Sequence, residues 1–270
     1  MAIRSSRRAD RYATRAGVIT LSTILAVGYG AAVGDAGLPG AATANAGVPS
    51  VAPGHAGLVT ESAESPESSE ASGAELRLGD SGREVREVQE RLIELGYWLD
   101  SADGEFGGLT QHAVVALQKA AGIGRDGIVG PETRAALDEG VRPSAQSSSG
   151  RVVEIDLERQ LLLVVSDGEV QRTFTTSTGS GETYESEGEE HIAVTPKGEF
   201  TVFRGVDGWD KAPLGELYRP KYFNGGIAVH GFASVPAQPA SHGCARVSIK
   251  AMDWLWESGY LDNGSVVLVR

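Results

Sequence analysis

A second cysteine is what this chain most plainly lacks: Cys244 is the only one in 270 residues. With no partner there is no intrachain disulfide, and a lone thiol in an oxidising compartment needs another reason to be there. Cys-x-x-Cys and His-x-x-x-His spacings are missing too, which argues against a zinc site, and no motif asks for another metal or a cofactor. A basic surplus is also missing. The 24 Lys and Arg face 36 Asp and Glu, a formal net charge of −12, so the surface repels phosphate; nucleic acid and anionic lipid are excluded as partners. Nor is the uncharged stretch at residues 16–34 strongly apolar, because glycine and threonine dilute it.

That stretch does fit a secretory leader. Arg4, Arg7, Arg8, Arg11 and Arg15 precede or flank it, and Ala44-Asn45-Ala46 is a small-x-small cleavage site. Residues 1–46 therefore read as a signal peptide, an uncleaved anchor being the alternative. The expected mature protein is exported, extracytoplasmic and without stable membrane insertion. Cleavage removes five Arg and two Asp, which moves the formal charge from −12 to −15. Residues 47–74 are rich in Ala, Gly, Ser, Pro and Glu, with almost no large apolar side chain. They cannot bury enough surface to offset their conformational entropy and read as a disordered linker.

Residues 75–140 read as a small three-helix unit. Ser81-Gly82-Arg83-Glu84 spells a capping box ahead of Val85, Val88, Leu92 and Leu95 at helical spacing, with Gly96 as the stop. Thr110 is expected to cap a second helix carrying Ala113, Val114, Leu117 and Ala121, and Pro131 opens a third. A repeat runs through the unit: Asp103-Gly104-Glu105-Phe106-Gly107-Gly108-Leu109-Thr110 returns as Asp126-Gly127-Ile128-Val129-Gly130-Pro131-Glu132-Thr133. The Asp-Gly pairs lack the further oxygen ligands of a calcium loop. Residues 141–150, rich in serine, read as a second, flexible linker.

From Arg151 onward the period becomes two. Val153, Ile155 and Leu157 alternate with Glu154, Asp156 and Glu158, the pattern of a half-buried strand. Further strands are expected at residues 161–165, 170–178, 198–203, 227–230 and 265–269. One amphipathic helix, capped by Ser248, fits residues 248–258. Residues 151–270 are thus predicted to form a mainly-β, sandwich or barrel-like domain with one late helix. The acidic run at residues 182–190, next to His191, reads as a solvated loop. Trp209, Tyr218 and Tyr222 lie in a long segment suited to a lid.

The chemistry concentrates in Val229-His230-Gly231-Phe232 and, a loop later, Ser241-His242-Gly243-Cys244-Ala245-Arg246. Polar neighbours make Cys244 a nucleophile for acyl transfer, against the alternative of a small buried hydrophobe. A nearby imidazolium lowers a thiol from its reference pKa of ~8.5. Gly243 lets backbone amides close on an oxyanion. His230, ending a strand, is placed to act as base. Arg246 suits either a substrate carboxylate or a structural ion pair, and Ser241 either the loop or the substrate.

The order His-Gly, a loop, then Ser-His-Gly-Cys-x-Arg resembles the signature of the L,D-transpeptidases of bacterial cell walls, the YkuD-type catalytic domain, over residues 151–270. Thr195-Pro196-Lys197-Gly198-Glu199-Phe200 resembles a strand-opening motif of that family. The loop between His230 and Cys244 is shorter than in many members, and Ala245 replaces a larger aliphatic. Residues 76–137, through the repeat with Val88-Gln89, Leu95-Gly96-Tyr97 and Leu117-Gln118, resemble the peptidoglycan-binding domain 1 family. The first resemblance implies Cys244 as nucleophile, His230 as base oriented by the Gly231 carbonyl, and His242 assisting the amides of Gly243 and Cys244 at the oxyanion. Ser241, Gly231 and Arg246 are then expected on the substrate side. It also implies peptidoglycan stem peptides as donor and acceptor, a 3→3 crosslink made through a thioester, and acylation by carbapenem-type inhibitors. An L,D-carboxypeptidase at the same site and a catalytically silent wall-binding protein are the alternatives. Either way the protein is expected at the cell wall.

Overall fold

Hydrophobic spacing sets the first three helices, α1 (Arg83–Glu94), α2 (Gly108–Ala121) and α3 (Pro131–Glu139). The computed structural model describes residues 74–270, so the leader and all but the last residue of the first linker lie outside the described residues. Val85, Val88 and Leu92 bury one face of α1 against Ala113, Val114 and Leu117 of α2 and Ala136 and Leu137 of α3. Fully burying side chains of the Val and Leu class contributes about 1.5–3 kcal/mol each.

The repeat has a physical cause: two glutamines, one per copy, make the same set of hydrogen bonds. Gln89 donates to Asp103 Oδ1, Glu105 O and Thr110 Oγ1, and its own Oε1 accepts the Gly104 amide at 2.8 Å. Gln118 donates to Asp126 Oδ1, Ile128 O and Thr133 Oγ1, and accepts the Gly127 amide at 2.9 Å. Each buried amide thus satisfies a turn that has no sheet of its own.

That clasp also corrects two expected caps. Thr110 lies inside α2 rather than at its cap, its hydroxyl spent on Gln89 and Glu105. Ser81 does not cap α1; Gly82 occupies that position, with no side-chain hydrogen bond. Ser81 and Gly82 are drawn instead into a short bridge with Glu105 and Gly104.

Twelve strands follow among the described residues. The first are β1 (Arg151–Asp156), β2 (Leu161–Ser166) and β3 (Glu169–Thr175). A hairpin, β4 (Thr183–Ser186) and β5 (Glu189–Ile192), precedes β6 (Gly198–Thr201), β7 (Arg204–Gly205) and β8 (Trp209–Ala212). The chain ends with β9 (Gly215–Asn224), β10 (Ile227–Phe232), β11 (Ala245–Ser248), helix α4 (Ile249–Glu257) and β12 (Val266–Val269). One sheet runs β3-β2-β1-β12-β6; the other runs β11-β10-β9-β7, with β8 paired to β9. Val153, Ile155, Leu162, Val164 and Val267 of the first sheet meet Val229, Val247 and Phe223 of the second, with Met252 and Leu255 of α4 completing the core. Ser248 caps α4 by accepting the Ala251 amide. The expected mainly-β domain with a late helix is what forms. No helix among the described residues is long and apolar enough to cross a membrane.

The polar face of β1 is not solvated. Glu154 is wholly buried, accepting hydrogen bonds from the Gln146 and Ser147 amides and from Ser147 Oγ, with the Arg270 guanidinium 3.1 Å away. The carboxylate therefore pins the serine-rich stretch that composition alone reads as a flexible joint.

The helical unit is docked as well. Leu161, Leu163, Val165 and Val170 of β2 and β3 share one core with Tyr97, Leu92 and Leu117. Gly96 and Trp98 exchange backbone hydrogen bonds with Thr173 at 2.9 Å each, so the helical unit covers the edge of the first sheet.

Candidate active site

Two neighbouring parallel strands build the site. In β10 and β11, Val229 pairs with Ala245 and His230 with Arg246. Side chains two residues apart share a face of a sheet, so Ala228 and His230 on one strand and Arg246 on the next line the same side, with Cys244 at the mouth of β11. The Ala228 amide donates to Cys244 Sγ at 3.4 Å, which fixes the thiol on that side. Ala212 and Leu217, from the hairpin of β8 and β9, pack with Tyr222 and Ala228 around the half-buried cysteine. The segment expected as a lid thus supplies the apolar wall of the sulfur. Trp209 at its edge is 55 % exposed and lies against Tyr218, ring centroids 5.1 Å apart.

His230 is buried, and its Nδ1 lies 3.0 Å from Gly231 O. A carbonyl oxygen only accepts, so this contact places the ring proton on Nδ1 and leaves Nε2 with its lone pair, the tautomer a general base requires. Burial, with a smaller contribution from the Arg246 charge, lowers the His230 pKa to about 4 despite that hydrogen bond. Burial likewise raises the Cys244 thiol, opposed by the Ala228 amide and by Arg246. Both causes favour a neutral imidazole and a neutral thiol. The expectation of a thiolate stabilised at rest by an imidazolium differs from this, because the composition of the loop does not reveal how deeply the pair is buried.

The loop before Cys244 is held from three directions. Ser241 is buried; its Oγ donates to Cys244 O at 2.6 Å and accepts the Gly243 amide at 3.0 Å. Thr195 Oγ1 accepts the Gly179 amide and donates to Gly243 O at 2.6 Å. Gly243 has φ +143°, and a Cβ there would stand 3.0 Å from Val194 O, so only glycine fits. The Gly243 amide is spent on Ser241, whereas the amides of His242 and Cys244 have no acceptor among the described hydrogen bonds. Thr195 carried no assigned role in the sequence; its place in the Thr-Pro-Lys-Gly motif was the available signal.

His242 is exposed and meets the edge of Tyr184 at 4.6 Å between ring centroids, and Tyr184 in turn stacks on His191 at 5.5 Å. The acidic run read as a solvated loop is therefore a hairpin, β4 and β5, reaching the cysteine loop through an aromatic contact. Arg246 donates to Ala240 O and lies over the Phe232 ring at 4.4 Å, while its Nε is buried without a partner. Gly231 stands close to Tyr218 and Met252, where a Cβ would come within 2.8 Å of Tyr218.

The depressed His230 pKa carries a stability prediction. Between about 4 and the ordinary 6.5 the unfolded chain binds a proton that the folded chain excludes. The contribution is therefore complete above pH 6.5 and is lost as pH falls toward 4. Urea denaturation of the wild type and of His230→Gln at several pH values should show the difference between them shrinking by about 3 kcal/mol across this window. A difference that stays constant would mean that the imidazole titrates as if exposed.

Residues 150–269 match the family described as "L,D-transpeptidase catalytic domain". Residues 81–137 match the one described as "Putative peptidoglycan binding domain". A solved L,D-transpeptidase structure from Xylanimonas cellulosilytica is 53% identical, with a TM-score of 0.71, over 72% of this chain and 97% of that one. Two curated relatives come from Bacillus licheniformis. A "Probable N-acetylmuramoyl-L-alanine amidase" is 44% identical over 32% of this chain and 25% of its own length. The N-acetylmuramoyl-L-alanine amidase CwlL is 39% identical over 39% of this chain and 30% of its own. The chain thus spans less than a third of the length of these two amidases.

Proposed function

This chain belongs to the L,D-transpeptidase family, and on that premise we propose that it crosslinks peptidoglycan stem peptides through a thioester on Cys244. Cys244 attacks the carbonyl of the third residue of a donor tetrapeptide stem. As the S–C bond forms, His230 Nε2 takes the thiol proton. The Cys244 amide donates to the oxyanion. Collapse of the tetrahedral intermediate breaks the C–N bond, and the proton held by His230 passes to the departing D-Ala amine. A side-chain amine of a neighbouring stem then attacks the thioester, giving up a proton to His230, and the thiol is reformed with a 3→3 crosslink in place.

The observation that carries this reading is the shared face of β10 and β11. It supports a thiol held by the Ala228 amide and an imidazole of defined tautomer working on the same side of the sheet, with the apolar wall of β8 and β9 lying against the thiol. His242 completes the oxyanion surroundings or braces the hairpin of β4 and β5; Arg246 pairs with the donor stem's carboxylate or holds the loop through Ala240 O. Ser241, with both hydrogen-bonding capacities used, shapes the loop. The helical unit holds the enzyme on the wall, where an exported protein with this leader would work. Carbapenem-type compounds acylate the same thiol.

Mass spectrometry of muropeptides after incubation with the purified protein tests this directly. Dimers joined between third residues are the expected product. Tripeptides alone would replace the transferase with the L,D-carboxypeptidase, in which water intercepts the thioester. No change in the muropeptides, with Cys244 intact, would leave the protein a wall binder.

A further inference from the structure

Lys119, in the last turn of α2, is wholly buried, and no carboxylate pairs with it among the described residues. The charged group that acts on it, Arg125, is not acidic, and burial with the Arg125 charge lowers its pKa to about 7. An ammonium survives such a place only if every N–H is used. Lys119 Nζ makes three hydrogen bonds, to Gln160 O at 3.0 Å, Thr175 Oγ1 at 2.7 Å and Thr176 O at 2.9 Å. All three acceptors lie in the β domain, 41 to 57 residues away in sequence.

What those acceptors do next gives the contact its meaning. The Gln160 side chain clasps Thr178 at two points, donating to its Oγ1 at 2.7 Å and accepting its amide at 2.9 Å. Thr178 O accepts the amides of both Ala240 and Ser241, and Ser241 Oγ holds Gly243 and Cys244. By a second route Thr176 Oγ1 donates to Arg246 O at 2.8 Å, while Ser177 and Arg246 exchange backbone hydrogen bonds. Residues 175–178 are thus a seam, gripped by Lys119 on one side and gripping the cysteine loop on the other.

We propose that Lys119, although it belongs to the helical unit, is a positioning residue for Cys244, setting the seam that fixes the loop from Ala240 to Arg246. This rests on the transferase reading for its rate consequence and on the hydrogen-bond path alone for its structural one. The helical unit is then part of the catalytic apparatus as well as a wall anchor, and residues far from the thiol control how the thiol meets an acyl group. A displacement of a reacting group by about 1 Å can cost on the order of 10²-fold in rate, so modest loosening of the seam is enough to be seen.

Lys119→Met keeps the length and removes the three donors. In the full chain, the limiting rate of Cys244 acylation by a carbapenem should fall by about 10- to 100-fold with little change in the half-saturating concentration. Hydrogen exchange at the Ala240 and Ser241 amides, which Thr178 O accepts, should quicken. A folded Lys119→Met protein with wild-type acylation and wild-type exchange at those amides overturns the proposal. Should that variant fail to fold, Thr175→Val removes one acceptor while keeping the shape. Slower acylation with faster exchange supports the seam, and wild-type behaviour makes Lys119 a folding residue only. If the wild type itself is not acylated, the transferase reading fails, and the exchange rates alone decide the positioning claim.

Discussion

Cys244→Ala should abolish crosslinking and inhibitor capture while leaving the fold in place. The thiol is the nucleophile of the proposed reaction, and an alanine methyl cannot form an acyl intermediate. The loss should therefore be on the order of 10⁴-fold or more, as for nucleophiles of other covalent enzymes. Structurally the change is small. Sγ is half-buried and accepts one long hydrogen bond from Ala228, so the thermal midpoint should stay within about 4 °C of the wild type. Intact-mass spectrometry after carbapenem exposure provides the check: an adduct on the wild type and none on the variant. Residual turnover by the variant would move the nucleophile elsewhere and dismantle the proposed mechanism.

His230→Ala removes the base, and turnover should drop by about 10²–10⁴-fold. The same residue separates two pictures of the resting site. If an imidazolium held a thiolate, iodoacetamide would label wild-type Cys244 rapidly through the acid-to-neutral range, and labelling would slow in the variant. Burial points the other way, lowering His230 and raising Cys244. Wild-type labelling should accordingly be slow near neutral pH and climb with pH beyond the ordinary thiol range, with little change in His230→Ala. Fast, pH-independent labelling of the wild type would restore the ion pair.

Much of this molecule is legible from its sequence because the signals are local. The period of two after Arg151, the Ser248 cap and the Pro131 helix start need only neighbouring residues to be read, and each forms where expected. The His-Gly and Ser-His-Gly-Cys motifs are equally local; parallel pairing of β10 and β11 then brings them together. Local chemistry misleads where one signature serves two ends. A threonine ahead of an apolar helix looks like a cap, yet Thr110 closes the Gln89 clasp instead. An acidic run reads as a solvated loop, and its glutamates are indeed exposed, yet it forms a hairpin whose Tyr184 meets His242.

The sequence by itself determined the four helices, the strands that carry a clear period of two, the repeat and the identity of the chemical groups, since those depend on spacing and residue type over a few turns. The hairpin of β4 and β5 and the strands of the lid-like segment, β8 and β9, were not among them. Burial was decided only by tertiary structure. Glu154 reads as the wet face of a strand and becomes the clamp on residues 146 and 147. Lys119, which no motif singles out, becomes a three-way tie across the chain. The thiol's protonation changes for the same reason. Desolvation depends on which distant surfaces close over a group, and here the helical unit closes over β2 and β3 while β8 and β9 close over Cys244.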